Sequence, residues 1–266
     1  MKALKTDWRK VICIICISGF INMVFHAVLS PINTSNLSSI KLSIFVKNGM
    51  LIPAVIVWEL LAFSVLALVF ILIQDNLPGK RWIKGLMYGL SFGGLYFIGM
   101  FEAVLLFNTS VQSELLMGLT DCATLVLSGT LLGIFTGTDS VQKYKLKNAP
   151  AIFVISFFYV IGRYLAYTVF HIQSANDVNP LGSFIWTLSL GLWVGNIYLI
   201  LQSGAKGTSI IRQSVYFGVI VFGLNWLMNH IFMYVVLEFT FDLLIRVVVD
   251  ILFTVVGVIA FKKLSA

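Results

Sequence analysis

Charge is what this 266-residue chain has least of: Asp, Glu, Lys and Arg together make up 11% of it, against about 25% in ordinary soluble domains. A water-soluble protein of average composition is excluded. Proline occurs five times and acids number eleven, so neither a disordered segment nor an acidic tail has the composition it needs. Cysteine occurs three times, an odd number, always inside apolar runs, which excludes a disulfide scaffold. The HExxH, EF-hand and P-loop patterns are absent, and no cofactor is expected. A nucleic-acid partner is not expected either. The formal charge of +7 comes from basic residues dispersed in short connections between apolar segments, which is how membrane topology is encoded.

Apolar length is what the chain has in abundance: hydrophobic residues reach 59% and mean hydropathy +0.97. A hydrocarbon core about 30 Å thick takes about 20 apolar residues per helix. Eight stretches qualify, at 11–30, 50–73, 82–107, 113–136, 149–170, 181–202, 211–236 and 241–261. The fold class expected is therefore all-α: a polytopic bundle of eight transmembrane helices with the lipid bilayer as its surroundings. The first stretch follows Lys2, Lys5, Arg9 and Lys10 as a signal peptide would, but it is long for one, carries Asn22 and His26, and has no small-residue cleavage site after it.

The basic residues set the orientation. Lys2, Lys5, Arg9 and Lys10, then Lys80, Arg81 and Lys84, then Lys143, Lys145 and Lys147, then Lys206 and Arg212, then Lys262 and Lys263 all fall on one side. The opposite side has Lys41 and Lys47. Both termini are expected in the cytoplasm, with the protein in the plasma membrane. The longest connection, 31–49, includes the stretch 40–46, short enough to lie flat as a helix at the outer interface. Asn33, Asn36 and Asn108 match the glycosylation pattern, which chance supplies readily in a Ser/Thr-rich loop.

A shift of 128 residues places Trp58 on Trp186, Gln74 on Gln202, Gly79 on Gly207, Lys84 on Arg212, Tyr88 on Tyr216 and Met100 on Met228. It also places Glu114-Leu115-Leu116 on Asp242-Leu243-Leu244. One constant offset implies two repeats, 1–136 and 137–266. Four helices per repeat return the chain to its starting side, so the repeats would be parallel, not inverted. Glycines four apart, as in Gly85, Gly89 and Gly93, Gly129, Gly133 and Gly137, and Gly191 and Gly195, form faces where helix backbones approach closely. Gly89-Leu90-Ser91-Phe92-Gly93 matches the nucleophile-elbow pattern, but that elbow needs a strand-to-helix turn and this segment is mid-helix. Cys13 and Cys16 have CxxC spacing without further cysteines to join them, so they are expected to be apolar filling. Trp186 and Trp193 are expected to pack or anchor at an interface.

Ionisable groups inside a bilayer are expensive and turn toward protein or water. The chain has His26, Glu59, Glu102, Glu114, Asp121, Arg163, His230, Asp242, Arg246 and Asp250 within its apolar stretches. At about 1.5 Å rise per residue, Asp121 and Asp250 lie roughly 12 Å from the outer helix ends, Arg163 about 10 Å, His230 about 9 Å and Glu102 about 7 Å. All are in the outer half. Residues four apart share a helix face, as with Asp242, Arg246 and Asp250, with Arg163 and Tyr159, or with Ser18, Asn22 and His26, so polar stripes on several helices imply one shared interior surface. Asp242 and Asp250 are spaced to pair with Arg246, and Glu114 or Asp121 is a candidate partner of Arg163. The deep carboxylates outnumber the arginines, so either some of them are held protonated or water or a cation enters.

These ten residues are the candidate ligand- or proton-binding groups of an outward-facing polar cavity. No catalytic residue is assigned, and the three histidines' spacing leaves a metal undecided. The function expected is transport or reception of a small solute, cation or proton. The alternatives are an enzyme acting on outer-leaflet lipid, with a carboxylate and His26 or His230 as acid and base, and a non-catalytic membrane subunit of a larger complex.

Overall fold

A computed structural model describes residues 7–29, 41–140 and 148–265. Backbone groups in hydrocarbon must bond within their own segment, and the apolar stretches accordingly form helices. We label the eight that are long and apolar enough to cross a membrane α1 Trp8–Leu29, α2 Leu51–Ile73, α3 Arg81–Phe107, α4 Val111–Thr136, α5 Ala151–Thr168, α6 Pro180–Leu201, α7 Ile210–Val236 and α8 Phe241–Leu264. No strand occurs among the described residues, which add only an isolated bridge between Leu42 and Leu237.

The start signals are local. Ser110, Asn179 and Ser209 each accept a hydrogen bond from a backbone N–H three residues on, capping α4, α6 and α7. Pro180 opens α6, where its missing N–H has no intrahelical partner to lose. Asn108 closes α3 in a left-handed conformation, φ 52°, which asparagine tolerates. That places this glycosylation-pattern residue in the tight α3–α4 turn. Asn33 and Asn36, Lys2 and Lys5, and Lys143, Lys145 and Lys147 lie outside the described residues.

Packing follows the small residues. A Cβ on Gly129 would sit 2.5 Å from the Gly85 carbonyl oxygen, and one on Gly133 would sit 2.5 Å from the Arg81 carbonyl oxygen. The α3–α4 crossing is therefore a backbone-to-backbone contact. Ser91 is fully buried there and its hydroxyl donates to its own helix, to the Met87 carbonyl at 2.7 Å; it is a packing residue. Trp186 and Trp193 of α6 donate their indole N–H to the Ile98 and Ser91 carbonyls of α3, both at 2.9 Å. Beyond these, α1 packs on α4 and α2, α5 on α6 and α8, and α2 on α7. The outer surface is aliphatic and aromatic, with Ile52, Phe153 and Ile211 well exposed, as lipid-facing helices require. Cys13 and Cys16 are free and exposed on α1.

We call the end of the bundle holding the start of α1 and the end of α8 the terminus face, and the opposite end the far face. Near the far face a short helix, Ile44–Lys47, follows the α1–α2 connection. It begins four residues later than the stretch read as interfacial, and residue 40 is not described. Its connection is tied to the end of α7: the Ser43 N–H donates to the Val236 carbonyl at 3.0 Å, and the Glu238 N–H to the Lys41 carbonyl at 2.9 Å. Near the terminus face, short 3-10 turns at Gln74–Asn76 and Gln202–Gly204 end α2 and α6. Gly79 and Gly207 follow with φ of 91° and 144°. Within α7, Tyr216–Gly223 is π-helical, a widening often found at functional sites.

Candidate functional site

The intramembrane polar groups gather in two clusters, both in the far half of the bundle. In the first, α1, α2 and α4 meet. Gly19 faces α2, where a Cβ would sit in ordinary contact, 3.6 Å from the Glu59 Cβ. One turn on, Asn22 donates through Nδ2 to Glu59 Oε1 at 2.8 Å and to Asp121 Oδ1 at 3.3 Å. A further turn on, His26 Nε2 lies 2.8 Å from the same Asp121 oxygen. His26 is partly exposed while Asn22 and Glu59 are only 3% and 2% exposed, so the cluster runs from the surface inward. The second carboxylate oxygen of Glu59 and the amide oxygen of Asn22 are buried without a hydrogen-bond partner. Leaving such atoms unpaired in low dielectric is costly.

Beside them is a cavity of ≈ 10 Å³, lined by Asn22, Glu59, Asp121 and Asn225 together with the rings of Trp58 and Tyr96. That volume is about what one water-sized species needs. Its wall toward the terminus face is built on α7: the Tyr96 hydroxyl donates to the Asn225 carbonyl at 3.0 Å, and Asn225 Nδ2 donates to the Val221 carbonyl at 3.0 Å. Asn225 stands just past the π-helical segment.

In the second cluster, α3, α5 and α8 meet, and every charge has a partner. Arg163 is fully buried and grips Asp250 with Nε to Oδ1 at 2.6 Å and Nη2 to Oδ2 at 2.7 Å, the planar two-point match a guanidinium makes best. Its Nη1 reaches Glu102 Oε1 at 3.3 Å and its Nη2 the Tyr159 hydroxyl at 3.3 Å. The Arg163 Cζ lies 5.2 Å from the centre of the Trp186 ring. Trp226 Nε1 donates to Asp250 Oδ2 at 2.7 Å. Arg246 pairs with Glu102 through Nη1 and donates Nη2 to the Gln173 carbonyl at 2.5 Å. Two carboxylates thus face two guanidiniums.

The ten sequence-derived candidates are distributed as follows. His26, Glu59 and Asp121 form the first cluster with Asn22. Glu102, Arg163, Arg246 and Asp250 form the second. His230 adjoins the second, its ring 4.5 Å from that of Trp226 and its Nδ1 3.1 Å from the Trp226 carbonyl. Asp242 accepts the Gln173 N–H at 3.1 Å, so the loop at Gln173 links it to Arg246. Glu114, buried in the first turn of α4 with Oε2 unpartnered, bonds to neither cluster. Arg163 pairs with Asp250 and Glu102, not with Glu114 or Asp121, because α5 packs on α8. Arg246 pairs across to α3 instead of along its own helix. Among the described residues no group of three or more His, Cys, Asp or Glu side chains is placed to hold a metal ion.

Several contributors were not singled out from the sequence. Tyr96, Trp226, Gln173 and Asn225 were not among the candidates, and Trp58 stood out only as the repeat counterpart of Trp186. Lys84, read as a connection residue, is fully buried near the terminus face and donates Nζ to the Gln74 carbonyl at 2.7 Å. No protein-family model, curated protein or solved structure matches the chain. Eight membrane-crossing helices make it compatible with a multi-pass membrane protein, and the rest of its function is to be argued from the two clusters.

Proposed function

We propose that this protein is a plasma-membrane carrier or receptor for a small cation or proton, with both termini in the cytoplasm, and that its ligand is taken from the external side at the His26, Asp121, Asn22 and Glu59 cluster. The observation that carries the reading is the unpartnered Glu59 oxygen beside a water-sized cavity. A buried carboxylate retained without its own counter-ion is a functional group by default in a membrane protein. The partly exposed His26 and Asp121 supply the outer approach. The four-charge cluster around Arg163 is the static part of the same interior: its charges cancel, and it holds α3, α5 and α8 in place while the first cluster exchanges its ligand. An enzyme using His230 is less well supported, since that ring is buried on Trp226 and directed to its own helix's carbonyl.

The test is flux in proteoliposomes containing the purified full chain, read with a pH-sensitive dye and with a panel of small radiolabelled cations. Glu59→Gln and Asp121→Asn are expected to lower the flux at least tenfold while insertion and melting temperature stay close to the parent. Undiminished flux in the double variant would remove this reading.

A further inference from the structure

The first cluster has a counterpart. Trp58 Nε1 donates to Met228 in α7, and Trp186, 128 residues later, donates to Ile98 in α3, two residues from the position equivalent to Met228. The 3-10 turns and positive-φ glycines that end α2 and α6 stand at the same offset. The helix contacts correspond as well: α1 with α4 and α5 with α8, α2 with α7 and α6 with α3. Outside that offset, in each half an aspartate of the fourth helix meets a side chain of the first, Asp121 with His26 and Asn22, Asp250 with Arg163.

The two clusters differ in what faces the aspartate. Around Asp250, a guanidinium brings N–H donors and positive charge against two carboxylates and the Trp186 face. Around Asp121, two carboxylates meet an imidazole and an amide, with Glu59 Oε2 and Asn22 Oδ1 unpartnered and the Trp58 ring in the cavity wall. We infer that the halves are a duplicated pair, and that the cavity binds a water-sized N–H cation, ammonium or the head of a small primary amine, as the exchangeable equivalent of the tethered Arg163 guanidinium.

The inference rests on the cation-carrier reading and narrows it. Stripped of its hydration, ammonium matches water in size and suits a cavity of ≈ 10 Å³; bare potassium is of similar size, and what distinguishes ammonium is its directed N–H groups. Its N–H groups donate to side-chain oxygens of the lining Asn22, Glu59 and Asp121, and its charge is attracted by the aromatic Trp58 that also lines the cavity. Calcium takes six to eight oxygens and magnesium an octahedral shell, whereas the oxygen-bearing side chains lining the cavity are Asn22, Glu59, Asp121, Asn225 and Tyr96, the other lining residues being apolar.

The experiment is thermal unfolding of the detergent-solubilised full chain in ammonium, methylammonium, sodium and potassium chlorides at equal ionic strength. A ligand that binds only the folded state raises the melting temperature with concentration. Ammonium and methylammonium are expected to do so, sodium and potassium not, with the shift lost in Glu59→Gln, weakened in Trp58→Leu and kept in Trp58→Phe. Equal shifts from all four salts, or none from ammonium, would overturn the inference. If Glu59→Gln does not fold, the contrast between the two Trp58 variants decides: equal ammonium shifts in both overturn the proposal. Flux of sodium or protons through Glu59 without any ammonium effect would end this inference and leave the carrier reading standing. Ammonium protection in a protein that moves no cation would end the carrier reading and leave the site.

Discussion

Arg163 sits where a lone positive charge would be most expensive, and its side chain answers that cost with bonds to Asp250, Glu102 and Tyr159. Removing one member of a buried pair leaves the other uncompensated, typically at about 3–5 kcal/mol, while replacing both with neutral groups is far cheaper. Arg163→Met is therefore expected to destabilise the folded protein by about 3–5 kcal/mol, and Arg163→Met with Asp250→Asn to recover more than half of that loss, as read by thermal or denaturant unfolding in detergent. A double variant no more stable than Arg163→Met alone would show that the pair is not the unit of stabilisation. The existence of buried charge at 102, 163, 246 and 250 was legible in the sequence, because apolar surroundings make each ionisable residue conspicuous. Its pairing was not. Spacing along one helix suggested Asp242 or Asp250 for Arg246, but the side chains reach across to other helices, and that depends on which helices are neighbours.

Among the elements, α3 and α4 depend on absent side chains. The glycine spacing announced close crossings, but not which helices pair, since the Gly191 and Gly195 helix carries the same spacing. Gly129→Leu drives a side chain into the Gly85 carbonyl, and overpacking costs about 1–3 kcal/mol even when only side chains must move. A loss at or above the upper end of that range is expected, measured as a drop in melting temperature. Leu68→Ala on the exposed face should change stability by about 0.5 kcal/mol or less. Helix α7 is the opposite case. Its π-helical segment left no trace in the sequence, because no proline marks it and α and π turns use the same apolar residues. A π turn closes from i to i+5, one residue longer than an α turn. Deleting Val219 should return the segment to α turns and remove the widening next to Asn225. Cation flux is then expected to fall at least tenfold with insertion preserved; unchanged flux would show that the segment does not shape the cavity.

On the scale of the whole molecule, the basic residues outside the buried clusters are distributed unevenly along the bundle axis. The interior clusters occupy the far half, while Arg9, Lys10, Lys80, Arg81, Lys206, Arg212 and Lys263 stand at the terminus face against Lys41 and Lys47 at the other. Lysine and arginine are retained on the cytoplasmic side during insertion, so the far face is expected outside, and a cation reaching His26 would arrive from there. Two exposed positions test this: Val178, between α5 and α6 at the far face, and Lys206, between α6 and α7 at the terminus face. In a background with Cys13, Cys16 and Cys122 replaced, Val178→Cys should react with a membrane-impermeant maleimide in intact cells, and Lys206→Cys only after permeabilisation. The reverse pattern would put the first cluster in the cytoplasmic half and turn the entry path around, with the geometry of the cavity unchanged.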